Sequence, residues 1–200
     1  MGSKERILRK KEDVKRNILT AGWNIVKKEG WQALSMRRIA DAIEYTAPII
    51  YGYFDNKDAL LTEFTRQGYL HLAARLNEAK NKHRLPAKQL EAMWLAYWNF
   101  AFDEREYYKL MYGVEVNCCN CKTNYLAEEE LPSAIFTEVI QTLIDNSKNP
   151  QTNACKKYYT FWSVIHGLIS INIVNKGQTD ELNQEILKDA ITGIIRTIVE

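Results

Sequence analysis

The chain has 200 residues, 46% hydrophobic and 26% charged, with a net charge of only +2. That composition is ordinary for a soluble globular chain, long enough for one compact unit or for two small ones sharing a core. It excludes a membrane span, because no apolar run approaches the roughly 20 residues required. The basic segment from Lys4 to Arg16 is followed by no apolar stretch of the kind a secretory signal needs, so a cytoplasmic location with no membrane partner is expected.

Hydrophobic periodicity is helical nearly throughout, and no strand or internal repeat is visible. Val14, Ile18, Ala21 and Ile25 predict a helix from about Asp13 to Glu29, with Lys27 and Lys28 in its last turn and Gly30 as its C-cap. Ser35 predicts the N-cap of a short helix from Met36 to about Ile43. Thr46 predicts the cap of another, with Pro48 in a first turn where its missing N–H costs nothing. Asn56 caps a long helix to about Lys82, Pro86 opens the next to about Phe102, and Asp103 caps a short one to about Tyr112. From Gly113 to Ala127 the pattern lapses into an Asn- and Cys-rich loop. Pro132 opens a helix to about Asn146, and a strongly apolar helix runs from about Thr152 to Val174. Asp180 caps the last helix, with Leu182, Ile186, Ala190 or Ile191, Ile194 and Ile198 as its stripe. The expected fold is all-α, about nine helices: a three-helix head, residues 1–56, and a helical body, residues 57–200.

Charge divides along the same line. Residues 1–57 hold 12 Lys/Arg and 7 Asp/Glu, a net +5, and residues 58–200 hold 15 and 18, a net −3. A basic head on an acidic body suits an end that meets phosphates, although a solvated basic helix would look the same. The three head helices, the last two joined by a tight turn, form a helix-turn-helix arrangement. Too short to hold themselves in water, the second and third must pack on the first, through Leu34, Ile39, Ile43, Ile50 and Phe54.

Two segments carry a specific resemblance. Ser35-Met36-Arg37-Arg38-Ile39-Ala40, followed by Ile50-Tyr51-Gly52-Tyr53-Phe54-Asp55-Asn56-Lys57-Asp58-Ala59-Leu60, resembles the DNA-binding signature of the TetR family over roughly residues 13–61. The turn departs from the commonest pattern, with Glu44 and Tyr45 where many members have Gly and Val. If Glu44 adopts left-handed geometry, the cost is about 1–2 kcal/mol. The resemblance implies a transcriptional regulator, by family default a repressor, acting as a homodimer on a double-stranded operator.

The residues themselves suggest how DNA is read. Thr46 starts the recognition helix, whose first residues point at base edges. Ala47, Pro48 and Ile49 can touch thymine methyls but make no bidentate hydrogen bonds, so direct readout is thin. Arg37 and Arg38 are the candidates for base or phosphate contacts, or else solvated charges. Ser35, Tyr51, Tyr53 and Lys57 suit phosphate oxygens, the tyrosines alternatively serving as core aromatics and Lys57 as an ordinary first-turn lysine. Arg6, Arg9, Lys10 and Lys11 form a basic tail that could add phosphate or minor-groove contacts.

In the body, nine aromatics fall between Trp94 and Tyr125. Trp94, Tyr97, Trp98, Phe102, Tyr107 and Tyr108, with Met111, are candidate walls of a small-molecule pocket, since such rings offer flat apolar faces with a hydrogen-bonding edge. A plain aromatic core is the alternative. Trp162-Ser163-Val164-Ile165-His166-Gly167 resembles a Trp-x-x-x-His-Gly motif that marks one class of TetR C-terminal domains, which adds Trp162 and His166 to the candidate ligand residues. His166 reads first as a satisfied structural histidine, and second as an effector contact or pH sensor. The expected effector is an apolar or aromatic small molecule; no cofactor is expected. The last two helices carry more apolar surface than one covering layer needs, which suits pairing with a second subunit; a palindromic operator requires a two-fold protein.

Cys118, Cys119 and Cys121 offer a second reading, a soft-metal or redox sensor, but they lack the paired Cys-x-x-Cys spacing of a closed zinc site, and no metal site is assigned. An enzyme is not expected: no Ser-His-Asp set, Gly-rich phosphate loop or metal-spaced His group is present, and there are only three histidines.

Overall fold

The computed structural model describes residues 2–113, 126–175, 177 and 179–199. Among these residues there are nine α-helices and no strand: α1 Ser3–Glu29, α2 Met36–Ala42, α3 Ala47–Tyr51, α4 Lys57–Asn81, α5 Pro86–Asp103, α6 Arg105–Tyr112, α7 Glu130–Asp145, α8 Ala154–Asn175 and α9 Asp180–Val199. Two short 3-10 turns, Trp31–Ala33 and Ala127–Glu129, precede α2 and α7. The fold is therefore all-α. The chain divides into two compact units, and the boundary falls inside two helices: α4 between Thr65 and Arg66, and α6 between Tyr108 and Lys109. The Cys118–Cys121 segment lies outside the described residues.

In the first unit, α1 buries Ile18, Gly22, Ile25 and Val26. Gly22 is needed for close approach: a Cβ there would stand 3.2 Å from the Phe64 ring and 3.5 Å from Ile39. Trp31 packs edge-on against Phe64 at 5.6 Å and lies 6.0 Å from Trp23. Leu34, Ile39, Ile50 and Phe54 are buried as their pattern required, whereas Ile43 is half-buried. α1 is ten residues longer than its apolar stripe predicts, because nothing buries the added turns and periodicity alone cannot register them. Its N-terminus is closed by the Gly2 N–H, which donates to the Glu5 carboxylate at 3.1 Å.

Several caps differ from expectation. Ser35 does cap α2, its Oγ accepting from the Arg38 N–H at 3.2 Å. Asn56 likewise accepts from the Ala59 N–H at 2.8 Å. Thr46 precedes α3 in extended geometry without a side-chain cap bond. Asp103 ends α5 instead of capping α6, and its carboxylate accepts from Arg75 at 2.7 Å. Asn153 caps α8, and Thr179, not Asp180, caps α9.

In the second unit α5, α7, α8 and α9 pack on one another. α8 buries Ala154 and then, one residue per turn, Phe161, Ile165, Ile169 and Ile173. α9 buries Asn183, Leu187, Ile191 and Ile198, so Leu182 and Ile186, expected in its stripe, sit outside it at 40% and 38% exposure. Asn172 and Asn183 join α8 to α9 by reciprocal amide bonds of 3.1 and 2.7 Å. Among the described residues no helix is long and apolar enough to cross a membrane.

Candidate nucleic-acid interface and effector residues

The turn between α2 and α3 is set by Glu44, at φ 57°. The Tyr45 N–H reaches back to the Ala40 carbonyl at 2.9 Å and the Glu44 N–H to Asp41 at 3.4 Å, the paired bonds that close a helix through a left-handed residue. These bonds hold a non-glycine residue in a conformation that costs about 1–2 kcal/mol. The turn sends α3 off as a separate short helix, anchored by the fully buried Ile50.

α3 presents an exposed row. Thr46, Pro48, Ile49 and Tyr51 are exposed, and Ala47 and Tyr53 are half-buried. Thus Ile49 and Tyr51, at 40% and 50% exposure, stand outside the core although both are large and apolar-bodied. Ser35, half-buried, is committed to its cap.

The two arginines are not equivalent. Arg37 is exposed and has no ion-pair partner among the described residues. Arg38 is held from both sides: Nη2 donates to Glu29 at 2.6 Å, and Nη1 donates to Glu29 at 3.0 Å and to the Ala33 carbonyl at 3.2 Å. That hydrogen-bonded pair pulls the Glu29 carboxyl below its usual range and lifts Arg38 above its own. Lys57, in the first turn of α4, donates to the Trp31 carbonyl at 3.3 Å, which leaves its ammonium further protons to offer. Sequence reading missed Glu29 as the partner of Arg38, since a separation of nine residues across a turn leaves no periodic signal.

Trp94, Tyr97, Tyr108, Trp162 and His166, among the aromatic candidates of the second unit, form one cluster. Trp94, fully buried on α5, stacks on Phe136 at 3.8 Å and on Phe161 at 5.4 Å, with Tyr97 edge-on at 5.7 Å. Its indole N–H is buried with no hydrogen-bond partner among the described residues, a cost of about 1–3 kcal/mol. Tyr97 Oη and Tyr108 Oη both converge on His166 Nδ1, at 3.2 and 2.5 Å. His166 lies flat against Trp162, ring centres 4.5 Å apart, and burial lowers its pKa below the usual histidine value. Tyr108 also shares hydrogen bonds with Tyr97 and Ser170, and burial outweighs them in pushing its pKa upward. Tyr107 is buried, edge-on to His71 at 5.2 Å. Trp98 is buried, and Phe102 leans on it at 4.8 Å while remaining 39% exposed. Met111 is buried in the first unit, so the structure does not group it with the others.

A separate groove of about 270 Å³ between α5 and α9 is lined by Glu91, Leu95, Gln184, Glu185, Lys188 and Ile191. None of the sequence-predicted ligand residues lines it. Among the described residues no group of His, Cys, Asp or Glu could hold a metal ion. Cys155 is exposed and outside any disulfide.

Comparisons with known proteins agree with this geometry. Residues 18–64 match the family described as "Bacterial regulatory proteins, tetR family". Residues 90–193, more than half the chain, match "Tetracyclin repressor-like, C-terminal domain". A curated relative, an uncharacterized HTH-type transcriptional regulator of Haemophilus influenzae, is 24% identical over 143 residues, which cover 67% of this chain and 76% of that protein. Among solved structures, a Rhodococcus sp. RHA1 protein of unknown function superposes with a TM-score of 0.75 at 20% identity, covering 92% of this chain and 95% of the other. The transcriptional regulator FadR of Bacillus subtilis, in complex with stearoyl-CoA, superposes with a TM-score of 0.66 at 13% identity, covering 90% and 98%. The signature from Ser35 to Leu60, the α2–α3 turn that exposes α3, and the two family matches together decide the matter: the chain belongs to the TetR family of DNA-binding transcriptional regulators and not to a family of enzymes.

Proposed function

We propose that the chain is a cytoplasmic, ligand-responsive repressor that binds a palindromic operator as a homodimer and is released by an apolar or aromatic small molecule. The observation that carries this reading is the second apolar face of α8 and α9. Val164, Ile171 and Val174 on α8 are 44%, 55% and 58% exposed, and they recur at the spacing of one helix face with Gly167. Leu182 and Ile186 on α9 share a face with Gly193. A Cβ built on either glycine meets nothing within 4 Å, so each leaves room for a second backbone to come close. A second copy would cover this face and place two α3 helices on one side of the duplex, about 34–36 Å apart.

Residues 1–56 serve as the DNA-binding head and residues 57–200 as the ligand-binding and dimerising body. Ala47, Pro48 and Ile49 meet base edges, with Thr46 at the start of α3. Arg37 and Arg38 meet bases or phosphates, and Ser35, Tyr51, Tyr53 and Lys57 hold the backbone. The effector is held by Trp94, Tyr97, Trp98, Phe102, Tyr107, Tyr108, Trp162 and His166. An acceptor oxygen on it would answer the unpaired Trp94 indole N–H. The stearoyl chain carried by the FadR relative illustrates one form an apolar effector can take. An effector that favours a head spacing unlike the DNA-bound one must weaken operator binding by the same factor. α4 and α6 each contribute residues to both units.

The test is selection of duplex DNA by the purified protein, followed by sedimentation of the complex and titration with acyl-CoA thioesters and aromatic ketones. An inverted repeat bound by two chains and released by one of these compounds is expected. A monomer, or indifference to duplex DNA at low salt, would overturn the proposal.

A further inference from the structure

We infer that the first turns of α1, up to Glu12, form a helical basic arm that lies along the phosphate backbone beyond the segment met by α3. The inference rests on the operator-binding reading above. Lys4 to Glu12 are all exposed, though they continue a 27-residue helix without a break. They carry Lys4, Arg6, Arg9, Lys10 and Lys11 against Glu5 and Glu12, a net +3 in nine residues.

Position follows from one contact and from helix geometry. Lys15 Nζ lies 5.7 Å from the centre of the Phe54 ring, three residues after α3 ends. From Lys15 back to Ser3 the helix runs on for about 18 Å at 1.5 Å per residue. At about 3.4 Å per base pair, that length matches roughly five base pairs of duplex. The face of α1 that buries Ile18, Gly22, Ile25 and Val26 continues outward through Lys11, Leu8, Ile7 and Lys4 at helical spacing. The arm thus overhangs on the side of the head, with two lysines beside two exposed apolar residues.

Helicity also decides between the two contacts open to a basic tail. A helix with its side chains is about 10–12 Å across, and the minor groove is about 6 Å wide. An arm that stays helical cannot enter it. What remains is contact with phosphate and sugar, which lengthens the footprint without reading sequence.

The experiment compares the full chain with a variant in which Lys4, Arg6, Arg9, Lys10 and Lys11 are all replaced by Gln, keeping the helix. Binding is measured against salt on a duplex selected by the full chain, and on the same duplex trimmed by five base pairs at each end. Each phosphate neutralised contributes about 0.9 to the slope of log K against log salt. The variant is expected to lose about two units of slope or more. Its deficit should therefore shrink about tenfold over a threefold rise in salt. Trimming should cost the full chain a similar amount and the variant nothing, with base preferences unchanged. An unaltered slope, or a loss that depends on the flanking sequence, would overturn the arm while leaving operator binding intact. Failure of the full chain to bind duplex at low salt would overturn both.

Discussion

Replacing Ile171 with Asp tests the pairing face without touching either core. Ile171 is 55% exposed, so the chain's own fold has little to lose by the change. Full burial of an isoleucine side chain is worth about 1.5–3 kcal/mol, so covering its exposed half would give about 1 kcal/mol per copy. A two-fold interface contains the residue twice, which makes the apolar loss about 2 kcal/mol. An uncompensated carboxylate at each site adds a cost of at least the same size. Together these weaken self-association by about 4 kcal/mol, or roughly a thousandfold in dissociation constant. Sedimentation equilibrium over a wide concentration range reads this directly, and circular dichroism checks that the helices persist. Leu85→Asp is the control, since Leu85 is 67% exposed and precedes α5, on neither α8 nor α9. An unchanged dimer in Ile171→Asp, or equal weakening by Leu85→Asp, would refute the assignment of the α8–α9 face.

Three further outcomes are expected. Lys57→Ala should weaken all DNA sequences alike and flatten the salt slope by about one unit, measured by salt titration of binding; a selective loss of preference would make Lys57 a base reader. Asn172→Leu removes both amide bonds that Asn172 makes with Asn183, which is 3% exposed, so urea unfolding should show a loss of about 1–3 kcal/mol. The double replacement of Asn172 and Asn183 by Leu should recover most of it, and equal damage in both would remove the amide pair as the cause. Burial lowers the pKa of His166 below the ordinary 6.5. The unfolded chain therefore binds more protons than the folded one just below that value, so this contribution is intact above it and is lost as pH falls through it. The fall in Tm from about pH 7 to pH 5 should be shallower in His166→Gln; an equal slope would show that His166 does not set it.

The sequence made the frame visible and left the pairings hidden. Ser35, Asn56 and Gly30 marked helix ends because capping is local chemistry between residues one turn apart. Ile39, Ile50 and Phe54 marked the head's core because burial repeats with the helix. The first ten residues of α1 escaped notice for the converse reason: a helix that buries nothing has no stripe. The partner of Arg38 was invisible because Glu29 reaches it across a turn. The same holds for the convergence of Tyr97 and Tyr108 on His166, where three elements meet. On α9 one stripe concealed two faces. Leu182 and Ile186 lie on a different face from the buried Leu187 and Ile191, and a single sequence cannot separate faces whose spacings overlap.

The head's chemistry divides affinity from specificity in a particular way. α3 offers base edges an alanine, a proline and an isoleucine, none able to make the bidentate bonds that discriminate strongly. Arg38 could do so, yet Glu29 and the Ala33 carbonyl already occupy its guanidinium, and any DNA contact must compete with bonds of 2.6 to 3.2 Å. Arg37, exposed beside it, is the arginine whose engagement displaces nothing within the described residues. If one arginine and a few thymine methyls supply direct readout at each half-site, discrimination per half-site stays within a few kcal/mol. In the proposed homodimer the remainder would come from shape and from the distance between two heads, because a mismatch in spacing removes a whole half-site at once. That is also the quantity a body-bound effector could alter. Under the proposed homodimer, a weakly reading α3 would make the operator complex more sensitive to small changes in how α8 and α9 pair with a second copy than a strongly reading one would.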